Sequence, residues 1–341
     1  MLTLDTLLSM IRGHQPAQAI LTAHRLGIFR HLGERSLTAG EIAAGLDLAG
    51  RGVTILLDAL TALQVIEKRG DHYRNAETAL RHLSGSGPED RGVSLDHYAD
   101  LMRVWMRLEE SVRSGRSCRR PEEHLTQGDA QRNAVFIGAM AEIGRPHART
   151  LAGAIPLDGH RTLLDLGGGP GVYAEEFLRR NPALHAVIGD LESTLCSARP
   201  LVAMGEFADR ISFRALDAYG DAQLAGGFDA VLVSNVLHME GVAENQALLR
   251  KIHAAMDPGG RIILHEKVIE PDRAAPVDAA LFAINMLVNT ERGNCYTRDE
   301  MAGWLEQAGF SAIEEVNCFA NPSVLVARKA MADQGNGAGQ A

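Results

Sequence analysis

An α/β fold with a mostly parallel sheet is predicted for the second half of this chain, and three observations predict it. From Arg161 to Thr194, an apolar run (Thr162 to Leu166), a glycine turn (Gly167 to Gly171), a helix-like stretch (Val172 to Arg180) and a second apolar run ending at Asp190 follow one another. That order within about 30 residues is the nucleotide-binding half of a doubly wound sheet. Beyond this unit, apolar runs keep alternating with helical periodicity to about residue 328, the pattern of a sheet covered by helices. Residues 1 to about 100 lack that alternation and read as short helices with a small β element, hence a separate N-terminal domain.

Within the sheet domain, strands are expected at 162–166, 186–189, 211–214, 229–233, 261–265, 313–319 and 323–327. Helices are expected at 172–180, 195–204, 242–256 and 298–308. The last two strands flank Ala320 to Pro322 and read as an antiparallel hairpin. The domain is bounded at 159–329, after a linker at Pro156 to His160, and residues 330–341 (AMADQGNGAGQA) read as a disordered tail. Residues 101–158 form a helical connector. Leading into it, His97 to Val112 carries Leu101, Val104, Trp105 and Leu108 on one face, and Phe136 to Leu151 forms a further helix.

In the N-terminal domain (1–100), Leu4, Leu7, Leu8 and Ile11 are at helical spacing. Thr38 with Glu41 forms a capping box at the start of a helix, and a second helix carries Val53, Leu56, Leu57, Leu60 and Leu63. Val65 to Lys68 and His72 to Arg74 then flank Arg69-Gly70-Asp71 as a tight hairpin, which completes a winged-helix layout. A DNA reader would need Arg, Asn or Gln outward on that second helix. The chain shows Thr54, Asp58 and Thr61 there, so an interaction or dimerisation role is expected.

The net charge of −9 argues against nucleic acid as a partner. No apolar stretch approaches the ~18–20 residues that span a bilayer, so no membrane partner is expected and a cytoplasmic location is. Cys118, Cys196, Cys295 and Cys318 lie far apart and fit neither a disulfide framework nor a zinc site. No metal is expected; a His238, His265 and Cys295 set lacks ligand spacing.

In a parallel sheet, ligands gather beyond the carboxyl ends of the strands. The first strand is followed there by Gly167, Gly168 and Gly169, and the second by Asp190 and Leu191. Asp190 stands at the spacing of a carboxylate that holds ribose hydroxyls. After the third come Asp217 and Ala218, where Asp217 could accept from an adenine amino group. The fourth ends in Ser234 to Glu240 and the fifth in His265-Glu266-Lys267. His238 with Glu266 reads as a general base and its orienter, while alternation turns His265 to the other face. His253, mid-helix, is expected to face solvent. The turn Gly167-Gly168-Gly169-Pro170-Gly171 has Val172 where a dinucleotide site normally has a third glycine, which disfavours NAD. A nucleoside-containing cofactor is expected, and the turn by itself does not name it.

The segments LLDLGGGPG, IGDLEST, DAVLVSNVLH, AAMDPGGRIILHEKVI and GNCYTRDEMAGWLEQAGF together resemble the S-adenosylmethionine-dependent small-molecule O-methyltransferases. The branch resembled is that of the caffeate-type, hydroxyneurosporene-type and polyketide-tailoring enzymes. The resemblance covers about residues 10–328. It implies a class I methyltransferase Rossmann-like sheet with an N-terminal, mostly helical winged-helix dimerisation domain, working as a homodimer whose N-terminal half helps close each pocket. It implies S-adenosyl-L-methionine as cofactor, S-adenosyl-L-homocysteine as product, and a small-molecule acceptor, an aromatic or polyene secondary metabolite. Gly167, Gly168, Gly169, Asp190, Leu191, Asp217, Ala218 and Ser234 would bind the cofactor, His238 would be the base and Glu266 a supporting acid. Met140, Phe282, Met286, Asn289 and Cys295 are the acceptor-pocket candidates.

Three departures bear on the chemistry. His238-Met239-Glu240 stands where that family reads His-Asp-Trp, Cys295-Tyr296-Thr297 where it reads Glu-Arg-Thr, and Ser234 where it often has a basic residue. A C- or N-methyltransferase of the same fold therefore stays open, as does a winged-helix regulator that senses a nucleoside.

Overall fold

The structure, a computed structural model, describes residues 2–124, 126 and 129–331. Of the expected disordered tail, all but Ala330 and Met331 lie outside the described residues. The chain divides after Leu101 into two compact units. Among the described residues no helix is long and apolar enough to cross a membrane.

In the first unit, β1 (Leu37–Thr38), β2 (Ile66–Arg69) and β3 (His72–Asn75) form an antiparallel sheet in the order β1-β3-β2. It lies beside the helices Ile28–Leu32, Ala39–Gly45 and Gly50–Ala62. Thr38 and Glu41 close the expected capping box: the Thr38 N–H donates to Glu41 Oε2 at 2.7 Å and the Glu41 N–H to Thr38 Oγ1 at 3.2 Å. Ile28, Phe29, Ile42, Leu57, Leu60 and Ile66 form the core. Asp58, read as outward, is occupied by the wing, accepting from Lys68 Nζ at 2.6 Å and Tyr73 Oη at 2.8 Å. The first helix, Leu4–Arg12, buries none of its residues.

In the second unit, β4 (Thr162–Leu166), β5 (His185–Asp190), β6 (Ile211–Ala215), β7 (Phe228–Ser234), β8 (Met256–Glu266), β9 (Phe310–Glu315) and β10 (Ser323–Lys329) make one sheet, ordered β6-β5-β4-β7-β8-β10-β9. The first five are parallel, and β10 runs antiparallel between β8 and β9. Successive residues alternate between two buried faces, Leu163, Ile188, Leu232 and Ile263 on one and Leu164, Val231, Ile262 and Leu264 on the other, as period-2 strands covered on both sides require. The chain runs from β4 outward to β5 and β6, then crosses to β7 and β8 on the other side. The carboxyl ends of β4 and β7 therefore open the crevice where a ligand fits.

Three local expectations change, and one helix is added. The last hairpin starts earlier than 313, because Gly309 (φ +96°) stops the preceding helix and Phe310 is already buried. His253 does not face solvent: its half-buried ring meets Phe310 edge-on, centroids 4.9 Å apart. The helix expected from His97 to Val112 is two, Gly92–Trp105 and Leu108–Ser114, parted at Arg107, whose guanidinium pairs with Glu123. Val277–Asn289, left unassigned by the sequence reading, is a helix.

Candidate active site

The glycine turn is built for close approach. Gly167 has φ +68°, and a Cβ there would stand 2.7 Å from Val236 Cγ2, so a side chain would be both strained and obstructed. A Cβ on Gly168 would stand 2.7 Å from Asp165 Cγ. The Gly169 N–H donates to Asp190 Oδ2 at 3.0 Å and the Leu191 N–H to Oδ1 at 2.7 Å. Burial raises the Asp190 carboxyl against those two bonds.

Asp165 was missed by the sequence reading. It is 1% exposed under the turn, Oδ2 has no partner, and burial pushes its carboxyl up to about 7. The available signal was an acid inside the apolar run LLDLG. A side-chain-free turn over an orphaned buried carboxyl oxygen fits a cofactor that is cationic and bears hydroxyls.

After β6, Asp217 Oδ1 accepts the N–H groups of Tyr219 at 3.0 Å and Gly220 at 2.9 Å, which shapes that loop. Lys251 holds it from below. Its Nζ donates to the carbonyls of Ala218, Tyr219 and Asp221 at 2.6, 3.2 and 2.8 Å. Nothing in the sequence distinguished this helical lysine.

On the other side of the crevice, His238 lies in the short turn Leu237–Met239 that follows β7. Glu266, 2% exposed at the end of β8, accepts the Val236 and Leu237 N–H groups on Oε1 at 2.5 and 2.6 Å. Its Oε2 lies 2.8 Å from His238 Nδ1. A carboxylate oxygen at that distance is an acceptor facing Nδ1. Nδ1 must then carry the imidazole proton, which leaves Nε2 as the basic nitrogen. The Phe282 ring stands edge-on to the imidazole, centroids 4.9 Å apart. From behind, Asn294 N–H donates to the His238 carbonyl at 3.0 Å.

The remaining candidates divide. Met286 is buried and Met140 half-buried. Met140 shares its helix, Ala130–Ala154, with Ile137, which reaches the glycine turn: its Cδ1 is 3.9 Å from where a Gly169 Cβ would be. Asn289 is engaged elsewhere, accepting from Arg119 Nε at 2.8 Å and donating to the Asn285 carbonyl at 2.7 Å. Cys295 is a core thiol beside Ile269 and Ala279, directed at the Lys267 carbonyl at 3.2 Å and pushed up to about 12 by burial. Ser234 Oγ lies 2.8 Å from His265 Nδ1, on the far side of β8 from Glu266. Among the described residues, no group of three or more His, Cys, Asp and Glu could hold a metal ion.

Known proteins are similar to this chain along most of its length. Residues 105–311 match the O-methyltransferase domain and residues 8–85 the O-methyltransferase dimerisation domain. The 3-hydroxy-5-methyl-1-naphthoate 3-O-methyltransferase of Streptomyces sahachiroi is 32% identical over 320 residues, 93% of this chain and 92% of that protein. The tetracenomycin polyketide synthesis 8-O-methyl transferase of Streptomyces glaucescens is 30% identical over 318 residues, 92% of this chain and 93% of that protein. Human N-acetylserotonin methyltransferase, solved in complex with S-adenosylmethionine, aligns with a TM-score of 0.86 at 26% identity, covering 96% of this chain and 97% of that one. With its glycine turn, its sheet order and its two matched domains, the chain belongs to the S-adenosylmethionine-dependent O-methyltransferases, built on an N-terminal dimerisation domain.

Proposed function

We propose that this enzyme methylates a hydroxyl of an aromatic, polyketide-like acceptor, with His238 as general base and Glu266 as its orienter. The observation that carries this reading is the 2.8 Å bond between Glu266 and His238 Nδ1, which commits Nε2 to proton abstraction. When bound, S-adenosylmethionine supplies an electrophilic methyl on a sulfonium. The rest of the work falls to the chain. The glycine turn and Asp190 would hold the nucleoside, and Leu191, Asp217 and Ala218 would border its adenine, the loop being stiffened by Lys251. Ser234 lies toward its amino-acid end. Nε2 of His238 takes the hydroxyl proton as the oxygen becomes a nucleophile, a contribution of about 10²–10⁴-fold. Positioning of oxygen and methyl supplies much of the remainder.

The aromatic acceptor is supported by the naphthoate and polyketide hydroxyls named for the two Streptomyces relatives, and by Phe282, whose ring stands edge-on to His238. A homodimer is supported by the dimerisation domain and by the helix Leu4–Arg12, whose Leu4, Met10 and Ile11 are 69%, 64% and 61% exposed. The functional division then runs 1–100 for dimerisation, 101–158 for a connector toward the acceptor pocket and 159–329 for cofactor and chemistry.

The test is methyl transfer to a panel of hydroxynaphthoates and hydroxyanthraquinones, with their O-capped and amino counterparts, read by mass spectrometry. Methylation of hydroxy but not capped or amino compounds, lost in His238→Ala while S-adenosylhomocysteine still binds, is the expected outcome. Methylation of the amino series, undiminished in His238→Ala, would reverse the reading in favour of nitrogen.

A further inference from the structure

The turn that carries His238 is held by its carbonyls as well as by its N–H groups. Glu266 takes the N–H groups of Val236 and Leu237. The carbonyls of Leu237 and Glu240 accept from Asn245 Nδ2 at 2.8 and 3.1 Å. Glu240 also accepts from Tyr296 Oη, and the His238 carbonyl from the Asn294 N–H.

Asn245 is 0% exposed, in the first turn of the helix Val242–Ala255. Its amide fits only one way round. Carbonyl oxygens only accept, so the amide nitrogen must face Leu237 and Glu240, and Oδ1 must face the other way. There Oδ1 meets the Tyr219 hydroxyl at 2.8 Å. An amide oxygen donates nothing, so the phenol gives its single proton to Asn245. The Val236 carbonyl, 3.2 Å from the same hydroxyl, is the more distant acceptor.

Tyr219 belongs to the loop after β6, where its N–H is held by Asp217 and its carbonyl by Lys251. Lys251 and Asn245 share one helix. That helix therefore reaches the loop after β6 through two side chains, and through one of them it also reaches the turn of His238. Tyr219, Asn245 and Leu237 form a continuous hydrogen-bonded path from the end of β6 to the turn after β7.

We propose that Asn245 is a positioning residue for the base, and that Tyr219 acts through it by fixing its amide. This rests on the reading of His238 as general base. A hydroxyl already ionised in solution needs no base. Misplacement of His238 should therefore show on a protonated acceptor and fade on an ionised one, whereas general loosening of the fold would show on both.

The test is turnover, near neutral pH, of a hydroxynaphthoate that the enzyme methylates and of a nitro-substituted counterpart whose hydroxyl is ionised there. Wild type is compared with Tyr219→Phe, Asn245→Leu, the double variant and His238→Ala. Each is first checked for a wild-type melting curve and, by calorimetry, for S-adenosylhomocysteine binding. Tyr219→Phe and Asn245→Leu are expected to lower kcat on the protonated acceptor by about tenfold, and on the ionised one by about twofold or less, with S-adenosylhomocysteine affinity kept.

The double variant should lose no more than Asn245→Leu alone, because Tyr219 has nothing left to orient. Equal losses on both acceptors, or none on either, overturn the proposal, and additive losses overturn the part given to Tyr219. If Asn245→Leu does not fold, Tyr219→Phe decides alone on the same two acceptors. His238→Ala tests the reading beneath. Should it keep turnover on the protonated acceptor, His238 is not the base and both readings fall. Should it lose that turnover while Tyr219→Phe and Asn245→Leu do not, only the role of Asn245 falls.

Discussion

Glu266 and His238, 28 residues apart in sequence, meet through Oε2 and Nδ1 at 2.8 Å, while the other Glu266 oxygen holds the two backbone N–H groups just before the histidine. One carboxylate thus fixes both the turn that carries His238 and the tautomer of its imidazole. Replacing Glu266 by Gln keeps the shape and an oxygen for the backbone N–H groups, but sets an amide NH₂ against Nδ1–H. The imidazole must then move its proton to Nε2, which removes the base. We expect kcat to fall by about 10²–10⁴-fold, with S-adenosylhomocysteine affinity kept. A variant with near-normal turnover would show that Nε2 is not the base.

Gly167→Ala should destabilise by about 1–3 kcal/mol through its left-handed backbone alone, and more through the contact 2.7 Å from Val236. Because Val236 donates to Glu266, cofactor affinity and turnover should fall together. Gly303→Ala is the control: this helical glycine has open space around its missing Cβ, so alanine should stabilise by about 0.5–1 kcal/mol. Denaturant unfolding of both variants reads the contrast, and equal effects would remove the argument for strain at the turn.

Asp165 makes stability depend on pH. Burial raises its folded carboxyl to about 7, whereas in the unfolded chain it titrates near 3.9. Between about pH 4 and 7 the folded chain keeps a proton that the unfolded chain has released. Stability from this group therefore falls as pH rises through that window, by about 1.4 kcal/mol per unit, and levels off above it. Asp165→Asn should remove that slope. Unfolding free energies of both proteins at pH 5 and 7 test it; identical pH dependence would place the Asp165 titration elsewhere.

The four thiols should react in order of exposure. Cys196 is exposed, Cys118 and Cys318 are half-buried, and Cys295 is fully covered with its thiol pushed up to about 12. At pH 8, alkylation followed by peptide mapping should label Cys196 first and leave Cys295 unmodified until the protein unfolds. Early labelling of Cys295 would mean that the loop at 292–296 opens in the folded state.

The glycine turn, the alternating strands, the capping box and the acid at the end of β5 were legible in the sequence because each is a local requirement on a few consecutive residues. The proposed base was legible for a related reason: a histidine just past a strand end stands beside the crevice. What no local pattern encodes is which distant side chains share a hydrogen bond. That depends on the register of β7 beside β8, where Ser234 pairs with His265 and Glu266 falls opposite the turn of His238. It also depends on burial, which gave Asp165 its raised carboxyl and engaged Asn289 with Arg119, 170 residues earlier. Chain order determined the sheet and the crevice at its strand ends. Only the packed fold decided which charges stay, which protons are held, and which polar groups are already spoken for.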